Sequence, residues 1–370
     1  MNNRLTDYYR GRKVLVTGHT GFKGAWLCSW LLEMEAEVHG IALDPQMHEV
    51  LYDQLGLAEK LASDTRGDIC DKNLVKRIIT DIRPDIILHL AAQPLVRLSY
   101  EIPVETFETN VMGTVHLLDA LLEKDYDCSV VCVTTDKCYE NLEWLHAYRE
   151  EDAMGGHDPY SASKGAAELV ISSYRRSYFC GLSKVKVASA RAGNVIGGGD
   201  WAKDRIIPDC IRAIRKNEKI PVRNKIATRP WQHVLEPLSG YLWLGARLSS
   251  APDDQGPILA GAFNFGPNLS SNRTVAELVD TLSKHIGGEW EDCSERNARH
   301  EASKLNLAID KAFHTLNWKP VWDFQETLRV TAEWYTNDEK ENSSADLTTQ
   351  QIHHYINKAK SMGILWASSS

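Results

Sequence analysis

Several common sequence features are missing from this chain, and each absence excludes a class of protein. No apolar run approaches the roughly 20 residues of a membrane-spanning helix, and residues 1–13 contain no apolar segment typical of a secretion signal. The eight cysteines form no CxxC pair, which argues against a zinc site or a disulfide framework and favours reduced thiols. A net charge of −8 argues against a non-specific nucleic-acid binder. We therefore expect a cytoplasmic protein with no metal, membrane or nucleic-acid partner.

The first half of the chain alternates strand-like and helix-like segments. Strand patterns cover 13–18, 36–44, 84–92 and 128–135, and helix patterns lie between them, among them 73–82 and 110–124. A chain of βαβ units predicts a parallel sheet with helices on both faces. Ligands of such sheets bind at the carboxyl ends of the strands. The motifs below all fall at such ends.

A glycine loop follows the first predicted strand. In VTGHTGFKG, the glycines at positions 18, 21 and 24 stand between a strand and a helix. Glycines there allow a tight turn and let the backbone approach a pyrophosphate, which then sits at the helix N-terminus. Three glycines alone are also compatible with an ordinary turn. The next strand ends at Asp44, where a carboxylate would accept hydrogen bonds from the adenosine ribose, so the context favours dinucleotide binding.

The residues after Asp44 bear on the choice of dinucleotide. No Lys or Arg occurs between Asp44 and Val50 to bind a 2′-phosphate, so NAD is favoured over NADP. Lys23, inside the loop, could contact a phosphate of either cofactor. Asp68 and Ile69 end another strand and could hold adenine or form a plain polar loop. The stretch HLAAQ (89–93) ends in small residues, which would let a cofactor lie close or could simply pack tightly.

These patterns predict an α/β fold, a Rossmann-type doubly wound parallel sheet with a smaller, discontinuous substrate-binding lobe. The predicted NAD-binding domain covers 11–190 with return segments at about 234–267. The lobe covers 191–233 and 268–340, where the sequence becomes more irregular, and 341–370 is expected to form a polar C-terminal tail.

A tyrosine and a lysine are the strongest catalytic candidates. Tyr160 and Lys164 are four residues apart in a helical stretch and so share one face. A free tyrosine has a pKa near 10, and a nearby ammonium favours its phenolate form. Tyr160 could then take a proton from a substrate hydroxyl. Thr134 and Thr135 end the preceding strand and add polar groups to the same edge of the sheet.

From about residue 11 to 335, the chain resembles the extended short-chain dehydrogenase/reductase family. The resemblance rests on the glycine loop, Asp68-Ile69, HLAAQ, Asn110, Thr135, the Tyr160/Lys164 pair, RAGNVIG (191–197) and NWKP (317–320). It implies NAD as the cofactor. The cofactor-binding residues that it implies are Gly18, Thr20, Gly21, Phe22, Lys23, Gly24, Asp44, Asp68, Ile69, Leu90, Ala91, Ala92, Gln93, Asn110, Thr134, Tyr160 and Lys164.

The triplet Thr135-Asp136-Lys137 separates branches of that family. Epimerases usually lack an acid directly after the threonine, and other nucleotide-sugar dehydratases carry Asp-Glu or Glu there. Together with GHTGFKG, KCYEN and RHEASKL, the triplet is similar to that of the 4,6-dehydratases that act on CDP-glucose. The choice of cytosine rests on this resemblance alone. A solvated turn remains the simple alternative for Asp136-Lys137.

The resemblance implies a definite chemistry for the triplet. Oxidation at C4 makes the C5 proton acidic, a base removes that proton, an acid protonates the departing C6 hydroxyl, and hydride returns to C6. Thr135 would donate to the C4 oxygen, and Asp136 would be the acid if burial keeps it protonated. Lys137 would be the base at C5, or would hold the enolate oxygen or position Asp136. The product would feed 3,6-dideoxyhexose synthesis for surface polysaccharides such as the O-antigen of lipopolysaccharide.

The sequence motifs give fewer indications of which residues bind the substrate. Asn194 matches a family position that contacts substrate, and Arg205, Arg229 and Arg299 are candidates for the diphosphate, each equally compatible with a surface charge. Helices at 110–124 and 160–179 would form a dimer interface by resemblance, giving a homodimer or a dimer of dimers, although a buried helix face has the same pattern. Another nucleotide-sugar dehydratase, a 4-epimerase and a non-catalytic NAD sensor remain alternatives.

Overall fold

A seven-stranded parallel sheet forms the centre of the protein. The computed structural model describes residues 3–45, 50–181, 183–250, 256–294, 304–337 and 343–369. The strands are β1 Lys13–Thr17, β2 Glu37–Ala42, β3 Ser63–Arg66, β4 Ile86–His89, β5 Cys128–Val133, β6 Val185–Ala192 and β7 Ala262–Phe265. Their order is β7-β6-β5-β4-β1-β2-β3, and every neighbouring pair is parallel. The reversal of order beside β1 confirms the doubly wound, Rossmann-type fold.

Helices cover both faces of the sheet and make up much of the chain outside it. They are α1 Arg4–Tyr9, α2 Phe22–Glu33, α3 Leu51–Gln54, α4 Leu57–Lys60, α5 Lys72–Ile82, α6 Val96–Ser99, α7 Pro103–Phe107, α8 Gly113–Asp119, α9 Pro159–Ser177, α10 Ile206–Arg215, α11 Leu235–Ser250, α12 Gly256–Leu259, α13 Val275–Ile286, α14 Asp310–Leu316, α15 Phe324–Asn337 and α16 Ser344–Ser361. Among these described helices, none is both long and apolar enough to cross a membrane. In the same part of the chain, no cluster of three or more His, Cys, Asp or Glu side chains could hold a metal ion.

Three short strand pairs lie outside the central sheet. Val195–Ile196 pairs with Gln232–His233 in parallel, and Ile220–Val222 pairs with Trp290–Asp292 in parallel. Thr228–Pro230 pairs with Asn272–Thr274 in the antiparallel sense.

Alternation along the strands divides the apolar core into two layers. On β5, Val131 and Val133 join the cluster beneath α2, α11 and α15, whereas Val130 and Cys132 join the cluster beneath α5, α8 and α9. Successive side chains of a strand point to opposite faces, so a strand buried on both sides must be apolar at nearly every position. This explains the continuous apolar runs in the sequence.

The predicted helix at 110–124 differs in the structure. A π-helical turn covers Glu108–Met112, and a regular helix follows only over Gly113–Asp119. The turn places Asn110 in a buried position, where its amide donates to Ser163 Oγ at 2.8 Å. Such single π turns occur frequently at functional sites. The wide turn thus points a polar side chain inward from an otherwise ordinary helical sequence.

The expected polar C-terminal tail is instead largely a helix packed on the core. Ser343 caps α16 by accepting from Asp346 N at 3.1 Å. The helix buries one face against α2 and α15, and the 3₁₀ turn Leu365–Ala367 follows it. The buried apolar residues of this face are Leu347, Ile352, Tyr355, Ile356 and Ala359. Their three- and four-residue spacing is typical of an amphipathic helix.

Candidate active site

The glycine loop is shaped by close backbone contacts that only glycine allows. Gly18 has φ 75°, and a Cβ there would lie 2.8 Å from Ala91 N. A Cβ at Gly24 would lie 2.2 Å from the Gly18 carbonyl oxygen. Helix α2 therefore begins tight against the end of β1, with Gly21 at its N-cap and no side chain over its first N–H groups. This cradle fits a pyrophosphate, because free N–H groups at a helix N-terminus bind anions.

The edge of β2 and β3 forms the far end of this cleft. Asp44 follows β2 and has a side chain that is 82% exposed, free to reach a ribose. Arg66 Nε lies 3.6 Å from Asp44 Oδ1. The structure thus places a cation beside Asp44, although the sequence between Asp44 and Val50 contains no Lys or Arg. Parallel pairing of Ala42 with Arg66 brings it there from a distant part of the sequence. The sequence did not predict that Arg66 lies beside Asp44, because the pairing register of β2 and β3 determines this contact.

One polar and one apolar residue follow the end of β3. Asp68 is exposed and accepts from Cys70 N at 2.9 Å, while Ile69 is buried. A Cβ on Gly113 would lie 2.6 Å from Ile69 Cγ2, so the glycine of α8 lets Ile69 approach the helix closely. Asp68 and Ile69 therefore follow β3 at the carboxyl edge of the sheet, and their predicted role in holding adenine stays a prediction.

Polar contacts fix the segment after β4. Thr17 Oγ1 accepts from the backbone N–H groups of Leu90 at 3.1 Å and Ala91 at 3.0 Å. Asn110 Oδ1 accepts from Gln93 N at 2.9 Å, and its amide donates to Ser163 on α9. Asn110 thus joins the β4 end to the catalytic helix. It was predicted as a cofactor residue, and its contacts here hold other parts of the site in place.

The predicted catalytic side chains meet where β5 ends and α9 begins. Thr135, Asp136, Tyr160 and Lys164 are all buried, and Lys137 is half-buried beside them. Thr135 Oγ1 donates to Asp136 Oδ1 at 3.0 Å and accepts from Lys137 N at 3.3 Å. The Thr135 hydroxyl also lowers the pKa of Tyr160, against the effect of burial.

Burial shifts the pKa of three groups in this cluster, Asp136, Tyr160 and Lys164. It raises the pKa of Asp136 against the nearby positive charges of Lys137, Arg229 and Lys23. It also raises the pKa of Tyr160 to about 12 and lowers the pKa of Lys164 to about 8. A buried carboxyl favours its protonated form. The site therefore combines a carboxylic acid, a phenol and an amine that titrates near neutrality.

The segment that follows β6 lies against Asp136 through a glycine. A Cβ on Gly193 would lie 2.7 Å from Asp136 Oδ2 and 3.3 Å from Pro230 Cγ. Gly193 therefore lets the RAGN segment lie directly on the acid, and Asn194 follows it half-buried at the same edge. Gly193 was not singled out from sequence, although it stands inside the motif that the family resemblance uses.

Two of the three candidate arginines lie near the catalytic cluster. Arg205 Nη1 binds Asp200 Oδ2 at 2.9 Å, and its charge acts on both Tyr160 and Lys23. Arg229 is buried, its guanidinium donates to the Thr228 carbonyl at 2.8 Å, and its charge acts on Asp136. Arg299 lies outside the described residues.

The Lys23 side chain interacts with residues outside the glycine loop. Burial lowers its pKa to about 8, with Arg205 adding to this effect and Asp136 opposing it. Its Nζ lies 6.0 Å from the centre of the Tyr241 ring. Lys23 therefore faces the junction between the glycine loop and the catalytic cluster.

Two other residues of the glycine loop contact neighbouring segments. Thr20 Oγ1 donates to the Leu43 carbonyl at 3.1 Å and so ties the loop to the end of β2. The Phe22 ring approaches the segment after β6, because a Cβ on Gly197 would lie 3.3 Å from it.

The parallel sheet, the glycine cradle and the Tyr160/Lys164 pair define the class of dinucleotide-binding enzymes with a tyrosine and a lysine at the sheet edge. The family model described as GDP-mannose 4,6 dehydratase matches residues 15–331. The chain belongs to this family of extended short-chain dehydrogenases/reductases.

Individual relatives are similar over most of the chain. The CDP-glucose 4,6-dehydratase of Salmonella typhimurium is 47% identical over 335 residues, which cover 89% of this chain and 92% of that protein. The dTDP-glucose 4,6-dehydratase 1 of Escherichia coli is 28% identical over 359 residues, covering 89% and 94%. The structure of the dTDP-glucose 4,6-dehydratase of Streptomyces venezuelae, solved with NAD bound, has a TM-score of 0.75 at 24% identity and covers 88% and 97%. At that identity the likeness demonstrates a common fold.

Proposed function

We propose that the protein is a CDP-glucose 4,6-dehydratase, which converts CDP-D-glucose into CDP-4-dehydro-6-deoxy-D-glucose and water. The observation that carries the dehydratase chemistry is the buried carboxyl of Asp136, held 3.0 Å from Thr135 at the catalytic edge. A 4-epimerase expels no hydroxyl and needs no such acid. The choice of CDP is supported by the 47% identity to the Salmonella enzyme of that name.

The cofactor of this reaction is NAD, held along the carboxyl edge of β1 to β4. The glycine cradle would hold the pyrophosphate, Asp44 the adenosine ribose, and the Asp68-Ile69 edge the adenine. Thr134, Tyr160 and Lys164 would border the other end. When bound, NAD accepts hydride from C4 of the sugar and returns it to C6. The solved structure of the Streptomyces relative with NAD bound supports this assignment.

The chain's own residues would move the protons. Tyr160 takes the proton of the C4 hydroxyl while Thr135 donates a hydrogen bond to the C4 oxygen. Thr135 and the positive charge of Arg205 oppose the effect of burial on the Tyr160 pKa, and a Lys164 ammonium would also favour the phenolate. Asp136 gives its proton to the C6 hydroxyl, which leaves as water. Lys137 takes the C5 proton or holds the enolate oxygen.

The second lobe would select the nucleotide. We propose residues 11–190 with 234–267 as the cofactor domain and 191–233 with 268–340 as the lobe that binds CDP-glucose. Arg205 and Arg229 supply positive charge beside the catalytic cluster, which suits a diphosphate. Asn194 adjoins the acid-covering Gly193 and would contact the sugar.

The cellular setting follows from the same assignment. We place the enzyme in the cytoplasm, and its eight free cysteines support a reducing compartment. Its product would enter 3,6-dideoxyhexose synthesis for surface polysaccharide. The exposed apolar residues of α7, the π turn and α9 favour a homodimer.

The deciding experiment supplies each of four nucleotide sugars separately. Purified protein and NAD are incubated in deuterated water with CDP-glucose, dTDP-glucose, UDP-glucose or GDP-mannose, and the products are identified by mass and NMR. Water loss from CDP-glucose with deuterium at C5 is the expected result. Water loss from another sugar alone would replace the nucleotide assignment, and C4 inversion without water loss would make the protein an epimerase.

A variant distinguishes an enzyme from a sensor. Tyr160→Phe should lower the dehydration rate by about a hundredfold or more, because proton transfer by a positioned group contributes on that order. NAD binding, followed by calorimetry, should persist. A Tyr160→Phe protein with unchanged turnover would contradict the proposed role of Tyr160.

A further inference from the structure

A buried ionic network lies directly beneath the catalytic pair. Glu168 follows Lys164 by one turn of α9, and both side chains are buried. Its Oε1 accepts from Thr134 Oγ1 at 2.5 Å. Its Oε2 accepts from Ser189 Oγ at 2.8 Å and from Arg191 Nη2 at 2.8 Å. Donors from β5 and β6 thus converge on one carboxylate of the catalytic helix.

Arg191 extends the network toward the rest of the site. Its Nη1 donates to Tyr139 Oη at 2.8 Å and to the Glu150 carbonyl at 2.9 Å. The Tyr139 hydroxyl in turn donates to Asn264 Oδ1 on β7 at 2.8 Å. Arg191 also begins the RAGN segment, two residues before Gly193. The network therefore links the segment after β5, the catalytic helix and the part of the lobe that covers Asp136.

A network of this kind is costly to bury. Removing two charges from water costs several kcal/mol per ion, and an apolar core of the same volume is often equally stable. Glu168 nevertheless remains ionised, because Arg191, Thr134 and Ser189 hold its pKa below the usual value despite burial. A stability role alone does not require a charge at this position, so a role in the neighbouring chemistry is favoured.

The charge of Glu168 acts on Lys164. Burial alone lowers the pKa of Lys164, and Glu168 is the foremost group that opposes this effect. The other groups coupled to Lys164 are Cys132, Cys138, His89 and Lys23. Burial raises the pKa of both thiols and lowers that of His89, so those three are neutral near pH 7, and Lys23 is itself a cation. Among these described groups, Glu168 is the one anion that favours the Lys164 ammonium.

We propose that Glu168 is a positioning residue for the dehydratase reaction: its carboxylate keeps Lys164 charged and fixes Thr134 next to the catalytic Thr135. Glu168 exchanges no proton with substrate and acts only through these neighbours. The contribution of Glu168 to turnover rests on the proposed function above. Its electrostatic effect on Lys164 can be measured without substrate or NAD.

The direct test measures the ionisation of Lys164. Protein labelled with ¹³C at the lysine Cε is titrated by NMR, and the Lys164 signal is assigned from its loss in Lys164→Arg. In Glu168→Gln the midpoint should fall by about one pH unit, because an adjacent opposite charge shifts a pKa by that order. Ser189→Ala removes one hydrogen bond to the same carboxylate and keeps the charge, so its midpoint should match the wild type.

The same variants predict a change in the pH profile of kcat. If Lys164 must be charged, Glu168→Gln should move the basic limb down by about one pH unit, with kcat roughly tenfold lower near pH 8.5 and within about twofold of wild type near pH 6. KM for CDP-glucose should change little, because Glu168 touches no substrate. Ser189→Ala should keep the wild-type profile even if its Tm falls.

Each outcome has a definite reading. If Glu168→Gln does not fold because Arg191 loses its partner, the double variant Glu168→Gln/Arg191→Met removes both charges and is tested in the same way. An unchanged Lys164 midpoint in the folded variant overturns the proposal, as does an equal shift in Ser189→Ala. A lowered midpoint in a protein whose wild type does not dehydrate CDP-glucose would retain the Glu168–Lys164 coupling and reject the proposed function instead.

Discussion

Asp136 is the residue that most distinguishes this site from one that only oxidises and reduces its substrate. Its carboxyl is buried, so its pKa is raised, and Thr135 and three nearby cations oppose that effect. In the proposed role of general acid, Asp136 would work only while it is protonated. The raised pKa therefore extends its working range toward neutral pH, and activity should fall as the pH rises through that pKa.

Asp136→Asn tests this role with nearly the same shape. An amide cannot donate the required proton, so the rate of water loss from CDP-glucose should fall by about a hundredfold or more. Stability should be kept, since the amide has no charged form to bury. Rates are measured by NMR and Tm by calorimetry. Asp158→Asn, at the cap of α9, is the control, because asparagine caps a helix equally well. A fast Asp136→Asn enzyme would remove Asp136 as the acid.

Gly193→Ala tests the contact between the lobe and the acid. The new methyl would lie 2.7 Å from Asp136 Oδ2, so the carboxyl or the RAGN segment must shift. Displacement of a catalytic group by about 1 Å can cost roughly a hundredfold, and we expect a loss of kcat of that order. NAD affinity, measured by calorimetry, should stay unchanged. Gly256→Ala is the control, since no atom of the described residues lies within 4 Å of its new methyl. Equal kcat in the two variants would contradict the prediction.

At the scale of elements, a buried carboxyl group joins three segments of the chain. Glu236 on α11 accepts from Trp322 N at 2.7 Å, Val321 N at 3.0 Å and Tyr355 Oη at 2.7 Å. It thereby ties α11 to the turn before α15 and to α16. Burial raises its pKa to about 7, so Glu236 remains largely protonated at pH values where the unfolded chain has ionised.

This raised pKa predicts how stability depends on pH. A carboxyl with a raised folded-state pKa contributes stability that is complete below the unfolded value and is lost as pH rises through the folded one. For Glu236 the window runs from about pH 4.5 to about 7, and the loss is at most about 3 kcal/mol. Urea unfolding of wild type and Glu236→Gln at about pH 5 and 8 should therefore show wild type losing stability relative to the variant. A constant difference between the two proteins would refute this.

The elements that sequence predicts well are those specified by local pattern. The strands β1, β2, β4 and β5, the glycine loop, and the helix carrying Tyr160 and Lys164 are confirmed because apolar period and turn residues define them locally. Arg66 was missed because strand pairing alone brings it to Asp44. Likewise, the Asn110 side chain points inward because Glu108–Met112 forms a π-helical turn, and none of the residue types in that segment predicts such a turn.

Helix α16 was missed for a different reason. Its polar residues outnumber its apolar ones, and only the spacing of its buried face predicts a helix. A polar composition at the end of a chain favours the interpretation of a tail, yet the helix buries Tyr355 against Trp30 and Trp366. The substrate roles of Asn194, Arg205 and Arg229 stay predictions, since they depend on where a nucleotide sugar lies.

At the scale of the whole molecule, one group of exposed apolar side chains suits the proposed dimer interface. Val104, Met112 and Leu169 have exposed fractions of 64%, 44% and 62%, and they lie on α7, the π turn and α9, which pack against one another. Water-exposed apolar side chains grouped on adjoining helices mark an interface. The same surface on a second copy would cover them in a two-fold dimer. Met112 and Leu169 lie in the segments 110–124 and 160–179 that the family resemblance assigns to the dimer, and Val104 lies just before the first of them.

Leu169→Glu should therefore dissociate the dimer. A charge at the centre of an apolar interface loses water without gaining a partner, which costs several kcal/mol per site and twice that across a two-fold axis. Sedimentation velocity at micromolar concentration should give a dimer for wild type and a monomer for Leu169→Glu. Leu145→Glu, at a position that is 88% exposed on a different loop, should remain dimeric. A wild-type monomer, or a dimer that survives Leu169→Glu, would place the contact between copies elsewhere on the molecule. Because α9 also carries Tyr160, Lys164 and Glu168, a monomer with reduced kcat would indicate that dimerisation steadies the catalytic helix.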